Sequence, residues 1–312
     1  TRVDPGLIIS AAAVNAMRRD VLNQLTALRA RRADFPINPP KSVPDYRGPK
    51  DLPGLTVQVT TREQLTPNLL NSETAMLYVP LHILAADTEM TGLLVQRGRL
   101  AVVLPRIVHD GEMPKLKKDL ALLQSIGVKN ALVGNLGLLA PAREAGMRIH
   151  GDFGLNIYNS VSMNVLRSLE VCSALVSFEM TLPQIRDLSK AVNAEILAYG
   201  RMPLMITEQC LIQGRTGECT CHLGSTKLTD KTGAEFPILK DGDSCRSVLF
   251  NGKKLSWLDR QDDLAKLGVW AIRLYFTTEN AREVDRVLED YLNPAPFDPG
   301  ACTRGLYLRG VE

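Results

Sequence analysis

The chain has 312 residues, of which 45% are hydrophobic and 23% charged, with a formal net charge of +3. This is long enough to bury a full core, and the balance is that of a globular protein rather than a disordered or fibrous one. The small charge gives no argument for a nucleic-acid or membrane-surface partner. No apolar run is long enough to span a bilayer and no segment has the pattern of a signal peptide, so a cytoplasmic protein without a membrane partner is expected.

The chain opens on Thr1 rather than Met, so it reads as part of a longer protein whose amino-terminal half would be its first partner. Residues 1–50 read as a helix and a linker. Val14, Met17, Val21, Leu22, Leu25 and Leu28 form an apolar stripe beside Arg18, Arg19, Arg29, Arg31 and Arg32. Pro36, Pro39, Pro40, Pro44, Pro49 and Pro53 then exclude regular structure.

From Leu55 a rhythm begins. Leu55–Thr60, Ala75–Pro80, Leu100–Arg106, Asn130–Asn135, Arg148–Phe153, Ala174–Glu179, Ala194–Gly200 and Val269–Phe276 are short apolar runs. Helix-like stretches such as Lys115–Ile126, Val161–Leu169 and Leu182–Ala191 separate most of them. Short buried strands alternating with helices indicate parallel βαβ units, and eight of them suggest closure. The fold expected for residues 51–312 is therefore α/β, a (β/α)8 TIM-barrel-like domain. An open doubly wound sheet would give a similar rhythm, but no glycine-rich dinucleotide fingerprint follows any strand, so no nucleotide cofactor is expected.

The rhythm breaks once, between the seventh and eighth strands. Residues 201–268 read as a small, Cys-rich β insertion over the loop face of the barrel. Thr226–Asp230 and Glu235–Leu239 flank a Lys231-Thr232-Gly233 turn, and Val248–Phe250 and Lys254–Trp257 flank Asn251-Gly252, a strong hairpin signal. The insertion looks too small to hold itself together, and a metal would supply the missing stability. Cys210, Cys219, Cys221 and Cys245 are the candidate ligands; four thiolates suit structural zinc or an iron–sulfur cluster, and His222 could replace one of them. The bland alternative is four small buried side chains.

A second constellation lies at the carboxyl ends of the expected strands, where barrel enzymes place their chemistry. Arg106, Asn135, Asp152, Asn156, Asn159, Glu179, Tyr199, Arg201 and Arg273 fall there. Asp152, Glu179 and Arg201 are the candidate catalytic groups. Arg106, Asn135, Asn156, Asn159, Tyr199 and Arg273 are candidates for holding a polar substrate. Against this, Asp152 and Asn159 would serve equally as helix caps, and Glu179 as a structural partner of Arg201 or Arg273. His82 and His109 lie in loops after strands, but no motif pairs either with a nucleophile and an orienting carboxylate. The closing Thr303–Gly310 segment reads as docked on the barrel rather than as a nucleic-acid contact.

Taken in order, Gly151-Asp152, Leu155-Asn156 and Asn159-Ser160, then Ser177-Phe178-Glu179, then Tyr199 to Met205 before Cys210 resemble peptidase family U32, the collagenase-like proteases. Cys245-Arg246-Ser247, Asn251, Leu267-Gly268, Arg273-Leu274 and the closing Thr303-Arg304-Gly305 and Arg309-Gly310-Val311-Glu312 continue the likeness over nearly the whole chain. It is nearest the carboxyl-terminal region of the long members, with Asn15, Arg18 and Arg19 at the junction ahead of it. The resemblance implies a barrel, a clustered-cysteine site and a peptide substrate. Relatives that carry a 4Fe–4S cluster on such cysteines take part in hydroxylating RNA bases or the ubiquinone ring, which makes RNA the other expected substrate. Cys219-Thr220-Cys221 departs from their usual spacing, so zinc stays beside the cluster. Three readings follow: a peptidase, a metal-bearing component of hydroxylation, and a non-catalytic scaffold half.

Overall fold

The computed structural model describes residues 6, 9–31, 36, 38–39, 42–218, 226–242, 244–293 and 300–311. It divides into two compact units, Thr1–Ser42 and Val43–Glu312. The first unit is built on α1 (Ala11–Ala30), which begins where the Ser10 side chain accepts a hydrogen bond from the Ala13 amide. Within that unit the helix buries none of its apolar stripe.

The second unit starts at Val43, inside the stretch expected to be linker. Tyr46 is tied down there: its amide donates to Ser189 Oγ at 2.9 Å, and the Arg167 guanidinium lies 4.4 Å from the centre of its ring. The barrel strands are β1 (Gly54–Gln58), β2 (Met76–Pro80), β3 (Leu100–Val103), β4 (Asn130–Val133), β5 (Arg148–Gly151), β6 (Ser173–Leu175) and β7 (Asn193–Gly200). After β8 (Pro203–Thr207), β9 (Thr226–Thr229), β10 (Glu235–Lys240), β11 (Ser247–Phe250) and β12 (Lys254–Ser256), β13 (Ala271–Tyr275) completes the ring. Each neighbour in the ring is parallel, and β13 pairs with both β1 and β7. Among the described residues this is a closed eight-stranded parallel barrel, formed from the eight runs expected.

Between the strands lie α2 (Pro67–Asn71), α3 (Leu81–Ala86), α4 (Thr88–Val95), α5 (Met113–Ile126), α6 (Leu139–Glu144), α7 (Ser160–Ser168) and α8 (Leu182–Asp187). Beyond them come α9 (Leu211–Thr216), α10 (Gln261–Ala265) and α11 (Ala281–Leu292). The longest of the barrel's helices show the expected logic. Helix α5 buries Leu116, Leu120 and Leu123, spaced along one face, and stops at Gly127, whose φ of 105° suits a residue without Cβ. Helix α11 opens on a reciprocal Asn280–Glu283 capping box and buries Val284, Val287 and Leu288. Each such side chain contributes about 1.5–3 kcal/mol by leaving water. None of the helices among the described residues is long and apolar enough to cross a membrane.

Strand periodicity sorts the barrel into two chemistries. Leu55, Val57, Leu77, Val79, Val102, Val133, Ile149, Ile196, Ile272 and Leu274 belong to the main apolar cluster shared with the helices. The alternate residues include Thr56, Gln58, Tyr78, His150, Ser173, Glu195 and Arg273, all buried, with a smaller apolar group of Met76, Tyr78, Ala101 and Leu132. One face of each strand thus meets the helices, and the other supplies a barrel interior that is polar along one side.

The insertion forms a separate antiparallel sheet in the order β8-β11-β10-β9. The turn at Lys231-Thr232-Gly233 joins β9 to β10 as expected, with Asp230 Oδ1 accepting from the Thr232 and Ala234 amides. The hairpin expected at Asn251-Gly252 does not form. Strand β11 pairs with β10 and β8, whereas β12 leaves the insertion and pairs antiparallel with the end of β7. The hydrophobic effect outweighs the turn signal here, because this route buries Leu255 and Trp257 completely. Strand β14 (Cys302–Thr303) adds to β12, and Tyr307 packs against Trp257 while its hydroxyl donates to Leu197 O at 2.9 Å. The closing segment docks, as expected.

Candidate functional site

Arg273 organises the barrel interior. Its Nε donates to Glu195 Oε1 at 3.0 Å and its Nη2 to Glu195 Oε2. Nη1 donates to Gln58 Oε1 at 2.9 Å and to Asp152 Oδ1 at 2.6 Å, and the guanidinium lies 4.5 Å from the centre of the Tyr78 ring. Thr56 Oγ1 donates to Glu195 as well. Burial alone would disfavour the charge on Arg273, but Glu195 and Asp152 overcome it and hold the group above the usual guanidinium range. Burial raises the Tyr78 hydroxyl far above its ordinary value, and Glu195 adds to this, so the phenol stays neutral. Beside this network His150 Nδ1 bonds Ser173 Oγ at 2.7 Å, while its Nε2 is buried without a hydrogen-bond partner among the described residues. Burial, then the nearby Arg148 and Arg273, lower its pKa to about 4.

Above the interior lies a cavity of about 480 Å³, the size of a small-ligand site. Its floor comes from the carboxyl ends of β1, β2 and β13, through Gln58, Pro80 and Tyr275. The β3–α5 connection forms one wall, and Leu239, Asp241, Gly242, Val248 and Phe250 of the insertion form the roof. Gln58 belongs to both floor and network, so Asp152 and Arg273 support the cavity from below.

Arg246 fastens the roof. Its side chain is 6% exposed and grips Glu112 through both Nη atoms, at 3.1 and 2.9 Å, and Glu208 through Nε at 2.7 Å. It also donates to Ile107 O at 3.2 Å, and His109 Nε2 lies 3.0 Å from the same Glu208. Hydrogen bonding to Arg246 holds both carboxyls below the usual range. Asp241 behaves oppositely. Burial pushes its carboxyl up, against the pull of Arg246 and with the push of Glu112. Its Oδ2 is buried and has no hydrogen-bond partner among the described residues.

The residues expected to form one rim site are divided. Asp152 and Arg273 meet in the interior. Asn135 Nδ2 donates to Arg106 O at 3.1 Å, and Arg106 lies over the Phe153 ring at 4.9 Å. Asn156 is exposed in the left-handed region, and Asn159 caps α7 by accepting from the Ser162 amide. Tyr199 donates to the buried Glu279, which Lys254 neutralises at 2.8 Å. Arg201 donates to Asn251 O at 2.9 Å, to Gly252 O and to Thr278 Oγ1. Glu179 is exposed and meets neither Arg201 nor Arg273 through an ion pair. Of the histidines, His82 lines the cavity against Gly242.

Sequence reasoning gave no site role to Glu195, Gln58, Asp241 or Arg246, although Arg246 is among the residues that carry the family resemblance. A signal existed for the first two: a polar residue inside an apolar strand run, at the alternate positions that share a face. For Asp241 and Arg246 no local pattern marks the contact with the barrel.

Cys210 accepts from the Gln213 amide at 3.4 Å at the start of α9, and Cys245 is exposed. Cys219, Cys221 and His222 lie outside the described residues. Among the described residues there is no group of three or more His, Cys, Asp or Glu that could hold a metal ion.

Residues 88–293, well over half the chain, match the model of the family described as Peptidase family U32. The chain belongs to peptidase family U32. It is 24% identical over 124 residues to the uncharacterized protease MJ0090 of Methanocaldococcus jannaschii, a match that spans 36% of this chain and 30% of that protein. Among solved structures, the U32 peptidase Mk0906 is similar over 80% of this chain and 100% of its own, at 9% identity and a TM-score of 0.43. A mutant tryptophan synthase α-subunit from Pyrococcus furiosus is similar over 79% of this chain and 99% of its own, at 10% identity and the same TM-score, 0.43.

Proposed function

We propose that this U32 chain binds a peptide substrate in the cavity between the barrel rim and the insertion, and that it serves peptide-bond hydrolysis. One observation carries the reading: a cavity of about 480 Å³ at the carboxyl ends of the strands, with the half-buried Asp241 in its wall. Burial raises the pKa of this carboxyl, and a perturbed polar group in an otherwise apolar cavity is the usual mark of a contact with substrate. Asp152 acts in this reading as a positioning residue, through Arg273 and Gln58, rather than by touching the substrate. The test is a peptidase assay of the purified protein on gelatin and short peptides, together with a Val248→Trp variant that fills the cavity. Activity is expected, and at least a tenfold loss in the filled variant with an unchanged melting curve. Inactivity on all peptides overturns hydrolysis; full activity of the filled variant overturns the cavity as the site.

A second reading has its own support. Thr207 pairs with Ser247 across β8 and β11, so Cys210 and Cys245 follow and precede the same end of that pair. The Gln213 amide donates to Cys210 Sγ, a contact of the kind that orients a metal ligand. With Cys219 and Cys221 they would hold zinc, as a staple for the insertion, or a 4Fe–4S cluster, which supplies electron transfer and would fit the hydroxylation of RNA bases or a cofactor ring. Metal and sulfide analysis of anaerobically purified protein tests this, together with mass spectrometry of RNA from a deletion strain. Protein free of both metals, and unchanged hydroxylated bases, would overturn it.

A further inference from the structure

Lys115, Lys240 and Arg246 are the cations among the described residues that line the cavity. Lys115 is paired with Asp119 at 2.8 Å, and Arg246 is shared between Glu112 and Glu208. Lys115 and Arg246 are therefore committed to carboxylates other than Asp241. Lys240 beside it is exposed. Among the described residues Asp241 keeps only backbone ties: its amide donates to Arg246 O at 2.9 Å, and its own carbonyl oxygen accepts from Ser244 N and Oγ. Its Oδ2 is thus a buried acceptor in want of a donor, and a native structure normally satisfies such an atom.

Most of the cavity's lining surface is apolar. Leu81, Leu104, Val108, Leu116, Val248 and Phe250 line it, so a ligand must fill it with hydrocarbon. Hydrocarbon walls with one unmatched carboxylate oxygen define a shape of ligand: an apolar stem that ends in a charged donor.

We propose that the cavity receives an apolar stem ending in a protonated amine, as in a lysine side chain, and that Asp241 accepts the ammonium. This rests on the cavity being the substrate site, and it gives that site a preference for basic over neutral or acidic side chains. His82, packed against Gly242, stands at the same end and shapes the approach to the carboxylate.

Binding to the purified protein is measured by titration calorimetry at pH 7.5 with n-hexylamine, n-hexanol and hexanoate, which share the stem and differ in the head. Two capped tripeptides, identical except for a central lysine or norleucine, show whether the amine can come from a peptide. Hexylamine is expected to bind about tenfold or more tighter than hexanol, with hexanoate weakest, since hydrogen bonds to a charged acceptor are the stronger kind. Asp241→Asn, nearly the same shape, should remove that preference while hexanol binding stays. A preference for the lysine peptide supports the proposal with a peptide source; a preference seen only with hexylamine supports it with a small amine and overturns the peptide reading. Equal binding of hexanol and hexylamine, or a preference that survives Asp241→Asn, overturns the proposal and leaves the cavity as a site. No binding by any probe overturns both.

Discussion

Replacing Arg273 by methionine tests the account of the barrel interior most directly. The guanidinium is 1% exposed and Glu195, its main partner, is 0% exposed. Methionine keeps much of the volume and the contact with Tyr78 but removes every donor. Among the described residues Glu195 would then keep only Thr56 and Tyr78 as donors, and Asp152 would lose its only ion pair. Breaking a buried pair from one side costs about 3–5 kcal/mol, because the surviving charge has neither partner nor water. For a unit of this size each kcal/mol lowers Tm by about 2–4 °C, so a fall of about 6–20 °C is expected. Urea unfolding followed by far-ultraviolet circular dichroism measures the loss. The double variant Arg273→Met with Glu195→Met should recover part of it, since Glu195 is no longer stranded, while Asp152 still lacks its ion pair. A loss under about 1 kcal/mol in the single variant, or no recovery in the double, would refute the reasoning.

His150 gives stability a dependence on pH. Its pKa falls from 6.5 to about 4 in the folded state, so the unfolded chain binds the extra proton in that window and folding loses stability as pH drops from 6.5 toward 4. The loss amounts to about 3 kcal/mol and levels off below the lower value. Unfolding free energies at several pH values should show this slope, and His150→Gln should flatten it; an equal slope in the variant would place the titration elsewhere. Arg246→Met should loosen the insertion without melting the barrel, because its bonds join the roof to Glu112, Glu208 and Ile107. Hydrogen exchange is the measurement: amides of β8, β10 and β11 should exchange faster while those of β1 to β6 keep their protection. Uniform acceleration across both sheets would contradict a local latch.

Much of the fold could be read in the chain alone, because the barrel repeats one local unit. Each strand run shows β-branched or apolar residues bounded by turn chemistry, and each longer helix shows a stripe such as Leu116, Leu120 and Leu123. Such patterns need only the neighbours within a few residues, so the eight strands and the break after the seventh could be placed before any contact was known. The hairpin at Asn251-Gly252 marks the limit. Its turn signal is local, but the fate of Leu255 and Trp257 depends on the end of β7 and on Tyr307, which are distant in sequence.

The site was less legible for the same reason. The carboxyl ends of the strands could be named as a rim, yet which rim residues meet is a matter of register around a closed ring. Arg273 meets Gln58, Glu195 and Asp152 because β13 lies between β1 and β7 and its alternate residues face the interior. Asp241 Oδ2 becomes a buried acceptor only because the insertion sheet folds back over the β3–α5 connection and Arg246 holds it there. Local pattern determined the barrel and its interruption. Closure and the folded-back roof decided which charges are buried, which are paired, and which carboxyl group joins the cavity lining with an unsatisfied oxygen.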